Sequence, residues 1–326
     1  MLLAWIRERS GPCPTSAKHL LAKRLPAGHP STRRLPARGE SVMNATHATV
    51  SVTLLVLLAG VLHATWNAMA KAIDDKQVAF GLIGGGCGAA AAVALPFTGM
   101  PGGRATVFAL VSAAIHIGYN LALMRAYRLG AFGQTYPIAR GTSPLLVAAG
   151  AWLFASEHLG VLQLLGVGTV AGGLVALVFV NGRPARAETA AIVAAVMTGV
   201  TIASYTLVDG LGVRHATTAF SYIALLFVAQ GPILLAVALI SRRHQPAWRS
   251  PRTLAAGLGA GLLSLAAYGI VIWAQTHGPL AVVSALRETS VISAAVIAAV
   301  WFHEPFGWRR LPPATAVVAG VVLLNL

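Results

Sequence analysis

Two arginines stand inside apolar runs of this sequence, where a charge is energetically unfavourable. Residues 136–160 read YPIARGTSPLLVAAGAWLFASEHLG, with Arg140 near the start and Glu157 near the end. Residues 283–307 read VSALRETSVISAAVIAAVWFHEPFG, and Arg287, Glu304 and Gly307 fall in step with Arg140, Glu157 and Gly160 at a constant offset of 147. A guanidinium at such a place must face a protein interior or a water-filled cavity. It could hold an anionic group of a solute, or it could pair structurally with a carboxylate. Glu288 adjoins Arg287, but neighbours along a helix point to different faces, so a direct pair between these two is not expected.

Other polar residues recur at helical spacing. His63, Asn67 and Lys71 lie four apart, with Trp66 beside them. A polar stripe on an apolar helix should look inward. Trp66 and Asn67 could line a cavity or simply pack, and Lys71, near the end of its run, suits snorkelling. His116, Tyr119 and Asn120 form a second arc, and Tyr205, Asp209 and Tyr268 come from later segments. The set Trp66, Asn67, Tyr119, Arg140, Tyr268 and Arg287 is the candidate solute-binding group. His63, His116, Asp209 and Glu288 are the candidates for proton coupling or gating. Imidazoles exchange protons near neutral pH, although a neutral hydrogen-bonded histidine is the commoner occurrence. Asp209 could instead cap or pair near a helix end. Glu157 and Glu304 suggest a repeated joint that anchors a loop through backbone N–H groups.

No enzyme constellation accompanies these residues. There is no H-E-x-x-H pattern and no G-x-S-x-G elbow. HEPFG at 303–307 lacks the second histidine, and GLIGGGCG at 81–88 lacks the Lys-Ser/Thr of a phosphate loop. Cys13 and Cys87 make neither a disulfide framework nor a metal cluster. No cofactor and no metal are expected.

The elements that carry these residues are set by lipid. Of 326 residues, 56% are apolar and 10% charged, with a mean hydropathy of +0.73; soluble proteins carry about 25% charged residues. The formal charge of +15 does not signal nucleic acid, because the basic residues fall in a leader and in short gaps between apolar runs. Residues 1–42 hold eight Lys or Arg, two Glu and several Pro. They resemble a transit segment in composition; the simpler expectation is a disordered extension or a mis-assigned start, with the working protein beginning at Met43. Without them 16 basic and seven acidic residues remain, a net +9.

The pattern predicts an all-α polytopic membrane protein with ten spans, near 49–70, 78–97, 105–127, 131–155, 160–180, 188–208, 216–240, 253–275, 279–302 and 308–326. The echo between Tyr136–Gly160 and Val283–Gly307, and between GVLHATW at 60–66 and GVTIASY at 199–205, divides the chain into two five-helix repeats, 43–180 and 181–326. Five crossings invert the second repeat, a common basis for alternating access. Gly168 with Gly172, and Gly257 with Gly261, suggest close helix packing, and Pro144 offers a weaker hinge reading. Lys71, Lys76, Arg128, Arg183, Arg186, Arg242, Arg243, Arg249, Arg252, Arg309 and Arg310 follow odd-numbered spans, while little beyond Arg104 and Arg214 follows even ones. The positive-inside rule then places both termini outside the cytoplasm; the basic leader argues the reverse.

The chain resembles the EamA family of the drug/metabolite transporter superfamily. ARGTSPLLVAAGAWLFASEHLG at 139–160 resembles that family's fourth-helix pattern, LRETSVISAAVIAAVWFHEPFG at 286–307 its second-repeat partner, and HATWNAMAK at 63–71 its first helix. The resemblance covers 49–326. It implies a ten-helix secondary transporter of small metabolites, amino acids or drug-like solutes, with export as the leading direction. It also implies a central cavity at Trp66, Asn67, Tyr119, Arg140, Tyr268 and Arg287. The alternatives are a facilitative exchanger or uptake permease, and a lipid-handling membrane protein. Tyr205-Thr206 stands where a second Trp66-Asn67 pair would fall, which departs from a symmetric site. The family usually has cytoplasmic termini, against the loop charges. The expected partners are a small solute, membrane lipid and a proton or exchange solute, in a monomer or weak homodimer. The expected location is the cell membrane, the inner membrane in a bacterium.

Overall fold

The computed structural model describes residues 38–129, 132–181, 189–301 and 308–326, with side chains placed from residue 50 onward except for 124–128, 132–136, 181, 298, 299 and 308. Glu304 and most of residues 1–42 lie outside these. The chain forms two compact units, Met1–Met43 and Asn44–Leu326, and the second carries every apolar span.

The described residues hold helices and turns and no strand. In chain order the helices are α1 (Arg38–Ala72), α2 (Lys76–Thr98), α3 (Gly103–Leu129), α4 (Phe132–Phe154), α5 (Val161–Ala176), α6 (Thr189–Val213), α7 (Ala219–Arg242), α8 (Pro251–Ala274), α9 (Leu280–Arg287), α10 (Ser290–Trp301) and α11 (Leu311–Leu324). Eight segments among the described residues are long and apolar enough to cross a membrane, and α9 with the start of α10 counts as one of them. α4 carries Arg140 and two internal prolines, and α11 is a shorter apolar helix.

Local chemistry starts these helices where the sequence can satisfy exposed N–H groups. Asp75 accepts from Gln77 N and Val78 N at 2.9 and 3.1 Å before α2. Thr218 does the same for Ser221 N at 3.1 Å before α7, and Ser250 for Thr253 N at 3.3 Å before α8. The outward faces stay apolar: Phe97, Ile240, Val300 and Leu54 are all exposed. With water as solvent this would be a fault; with hydrocarbon it is the expected surface.

The inward faces pack mainly across the two halves of the chain. α2 packs on α7 and α8, α3 on α6 and α7, α4 on α6 and α9, and α5 on α11. Apolar cores form on either side of a small central cluster of Ala139, Ile202 and Tyr205, and Tyr268 packs against all three.

Glycine makes the tightest crossing possible. A Cβ on Gly231 would run into the backbone of α2, standing 2.8 Å from Gly88 Cα and 2.9 Å from Gly88 N. Gly261 is equally close to Ile83 O, at 2.6 Å, in line with its expected packing role. The expectation for Gly168 and Gly172 is corrected: nothing lies within 4 Å of a Cβ at either. The close approach of α5 to α11 falls instead on Gly166 and Gly173, where an added Cβ would stand 3.0 Å from Gly320 O and 2.9 Å from Pro313 O respectively. The glycines that make the crossing are seven apart, two helical turns, rather than four.

Gly231→Ala is therefore expected to destabilise the protein by about 1–3 kcal/mol through overpacking against backbone that cannot move aside. Gly168→Ala should be neutral, or gain up to ~1 kcal/mol of helix propensity. Thermal unfolding of both purified variants in detergent checks the contrast; equal midpoints would remove the packing assignment.

Candidate functional site

An aromatic cavity of about 80 Å³ lies among α1, α2, α3, α6, α7 and α8. Its polar and aromatic lining includes His63, Trp66, His116, Tyr119, Tyr205 and Tyr268. The rings hold one another. His116 stacks on Tyr205 with centroids 4.0 Å apart, and Tyr205 meets Tyr119 and Tyr268 edge-on at 5.5 and 5.7 Å. Hydrogen bonds fix the imidazoles. Trp66 Nε1 donates to His63 Nδ1 at 3.2 Å, so that nitrogen is an acceptor. His116 Nδ1 lies 3.0 Å from Ser112 O and must be the donor, because a carbonyl only accepts.

Beside this cavity the chain buries a charge cluster. Arg140 on α4 is 3% exposed, Arg287 at the end of α9 2%, and Glu288 0%. Arg140 Nε stands 2.7 Å from Glu288 Oε2, and Arg140 Nη2 donates to Ser290 Oγ at 2.8 Å. Arg287 Nη2 is 3.5 Å from Glu288 Oε1, within ionic reach but too far for a hydrogen bond. Among the described residues, Arg287 Nε and Nη2 have no hydrogen-bond partner. None of Arg140, Arg287 and Glu288 is among the residues that line the cavity.

The expectation against an Arg287–Glu288 contact needs correction, because the helix breaks there. Glu288 N bonds to Ala285 O at 3.1 Å and Thr289 N to Leu286 O at 3.2 Å, a three-residue turn in place of the four-residue ladder. Side-chain directions for a continuous helix no longer apply. Such a tightened turn within a span is a common hinge. Gly60 of α1 permits the close approach to this break, since a Cβ there would stand 3.1 Å from Thr289 Oγ1.

Asp209 on α6 is fully buried and accepts two phenol hydrogen bonds, from Tyr222 at 2.9 Å and Tyr268 at 2.6 Å. It neither caps a helix end nor stands open to the cavity. Tyr268 thus joins the cavity wall to a buried carboxylate.

At one end of the bundle a polar latch ties distant segments together. Ser156 takes the left-handed conformation, φ 53°, and Glu157 N bonds back to Ala151 O at 3.1 Å, which ends α4 and turns Glu157 across the structure. Glu157 Oε1 meets Arg214 Nη2 at 2.7 Å, and Oε2 accepts from Leu280 N at 2.8 Å. Arg214 also donates to Gln275 O and Gly278 O, each at 3.1 Å. Thr217 N bonds Pro101 O at 3.1 Å on the same side. At the other end of α2 and α7, Arg242 and Asp75 pair at 3.3 Å.

The candidate residues therefore divide. Trp66, Tyr119, Tyr268, His63 and His116 line one cavity. Arg140 and Arg287, expected in the lining, are not part of it; with Glu288 they form a separate buried cluster, and Asp209 sits behind Tyr268. Asn67 does not line the cavity: its Nδ2 bonds back to His63 O at 2.7 Å, so its polarity is spent on its own helix. Lys71 is exposed at the end of α1, as snorkelling requires. Sequence reading missed Phe80, Cys87, Phe227, Gln230 and Ser264 as lining residues. Gln230 beside Pro232 on α7 was the available signal, a polar amide in an apolar run.

Residues 189–326 match the model of the EamA-like transporter family. No curated protein matches the chain. A solved crystal structure whose description names no activity aligns over 85% of this chain and 98% of its own, with a TM-score of 0.70 at 17% identity. At that identity the likeness concerns the fold alone.

Removing one partner of a buried charge group leaves the rest uncompensated, at about 3–5 kcal/mol. Glu288→Gln should therefore destabilise the protein by roughly that amount, while Glu157→Gln, at a partly exposed pair, should lose about 1 kcal/mol or less. Unfolding midpoints in detergent decide between them; a larger loss from Glu157→Gln would mean that the latch, not the cluster, holds the bundle.

Proposed function

From the membership of residues 189–326 in the EamA-like transporter family, we propose that the protein is a secondary transporter of a small solute, built from two inverted five-helix repeats. A multi-pass membrane protein of EamA-like fold follows from the family match and the eight apolar spans. Counting α4 and α11, and taking α9 with α10 as one broken crossing, gives ten. The pairing of α2 with α7 and of α5 with α11 supports a two-fold relation, since each joins equivalent helices of the halves.

The observation that carries the reading is an aromatic cavity and a buried charge cluster at a broken helix within one bundle. Discontinuous helices at a central site recur in transporters that alternate between two faces. A bundle of this kind needs one end closed while the other opens, and the Glu157–Arg214–Leu280 latch supports closure at its own end. Trp66, Tyr119, Tyr205 and Tyr268 would grip the solute, with Arg140 and Arg287 beside them. His63, His116, Asp209 and Glu288 remain the groups for coupling or gating. Export is the proposed direction.

The test is flux in reconstituted vesicles with labelled amino acids and organic anions, with and without a pH gradient. Saturable uptake supports a carrier, and leakage that never saturates overturns it. Trp66→Ala removes one wall worth about 0.5–1.5 kcal/mol of aromatic contact, so the half-saturation concentration should rise about two- to tenfold. An unchanged value would take Trp66 out of the solute site.

A further inference from the structure

The unfilled donors of Arg287 say what the solute should bring. We propose that the transported solute is a small monocarboxylate with a flat apolar body, its carboxylate docked side-on against Nε and Nη2 of Arg287. The assignment rests on the carrier reading and specifies the solute for the same site.

Both nitrogens are buried without a hydrogen-bond acceptor among the described residues; Arg287 does not line the cavity, so its fork would reach the solute only when the cluster opens toward the aromatic walls. The two nitrogens lie on one edge of the guanidinium, the fork whose spacing matches the two oxygens of a carboxylate. Glu288 does not fill that fork. Its Oε2 is held at 2.7 Å by Arg140, and its Oε1 stays 3.5 Å from Arg287 Nη2. The cluster thus holds two guanidinium groups and one carboxylate, an excess of one positive charge. Arg140 differs from Arg287 in being engaged with both Glu288 and Ser290.

The other fully buried carboxylate among the described residues, Asp209, is met by the hydroxyls of Tyr222 and Tyr268. It is therefore not available to Arg287. Within the cluster the excess is a single positive charge, so a second anionic group on the solute would find no partner. That favours a monoanion over a dianion. The walls decide the rest. Trp66, Tyr119, Tyr205, Phe227 and Tyr268 present ring faces and edges rather than hydrogen-bond donors in series, which suits a flat apolar body.

Benzoate is the probe. Equilibrium dialysis of labelled benzoate against the purified full chain in detergent, at fixed ionic strength, should give saturable binding. Benzamide, the neutral isostere, should compete at least tenfold less well; benzylamine and chloride should not compete. In Arg287→Gln, affinity for benzoate should fall at least tenfold, with Arg287→Lys intermediate because it keeps the charge and loses the fork. Equal binding of benzoate and benzamide, unchanged affinity in Arg287→Gln, or displacement by chloride overturns the proposal. If Arg287→Gln fails to fold by size exclusion, the benzoate–benzamide comparison on the unaltered chain decides alone. Saturable flux of a neutral or cationic solute, unaffected by benzoate, overturns the solute assignment and leaves the carrier standing. Benzoate binding without any saturable flux overturns the carrier and with it the solute assignment, leaving an anion-binding site.

Discussion

The contact between Arg140 and Glu288, 2.7 Å apart and sealed from solvent, is the constraint around which the centre of this protein is arranged. In hydrocarbon neither group could stand alone, since the desolvation of a single ion amounts to several kcal/mol even after relaxation. One partner comes from α4 and the other from the turn after α9, so the pair also fixes two sequence-distant helices against each other. Ser290, the first residue of α10, is recruited by the same guanidinium at 2.8 Å. The helix cannot stay regular at Thr289 and still present Glu288 and Ser290 to one arginine. The break is thus the geometric consequence of a shared ion, not a separate feature.

Around that constraint, small residues and rings divide the work. Glycines let backbone approach backbone at the α2–α7 and α5–α11 crossings, where lipid supplies no hydrophobic drive between helices. Rings fill the space that close approach leaves in the middle, and Tyr268 belongs to every apolar cluster while donating to Asp209 at 2.6 Å. A displacement at the cavity would therefore be felt by the buried carboxylate through a single hydroxyl. In the proposed cycle this links the solute to a buried carboxylate through one side chain.

How much of this the sequence disclosed depends on the range of the interaction. The repeated arginine, the apolar spans and the inward-facing Trp66 and His116 were legible because each is a departure from a local pattern: a charge in grease, a polar stripe at spacing four. The Arg140–Glu288 contact spans 148 residues of chain, and no periodicity encodes it. Adjacent-residue geometry argued against Glu288 as a partner of Arg287 because it assumed the helix that the contact itself breaks. Asn67 failed as a cavity residue for the opposite reason: its amide found His63 O one turn back, a local hydrogen bond that competes with any outward role. Gly168 and Gly172 face away from the crossing, which falls on Gly166 and Gly173, seven apart, and only the position of α11 could settle that.

The latch and the cluster differ in a way that bears on motion. Both are ionic, yet Arg214 is about a third exposed while Arg140, Arg287 and Glu288 are sealed. Exposed pairs contribute little and are screened, whereas breaking a sealed one is strongly unfavourable. The proposed cycle, in which one end opens repeatedly, needs end contacts weak and a centre fixed, and charge burial gives that gradient. The latch also works through backbone: Glu157 holds Leu280 N, the start of the short helix that ends in Arg287. Release at the end of the bundle would free α9 at its N-terminus while its C-terminal turn stays tied to Arg140 through Glu288. A rigid eight-residue helix, held at one end and released at the other, is how a weak surface contact could tilt the fork of Arg287 without disturbing the ion pair beside it.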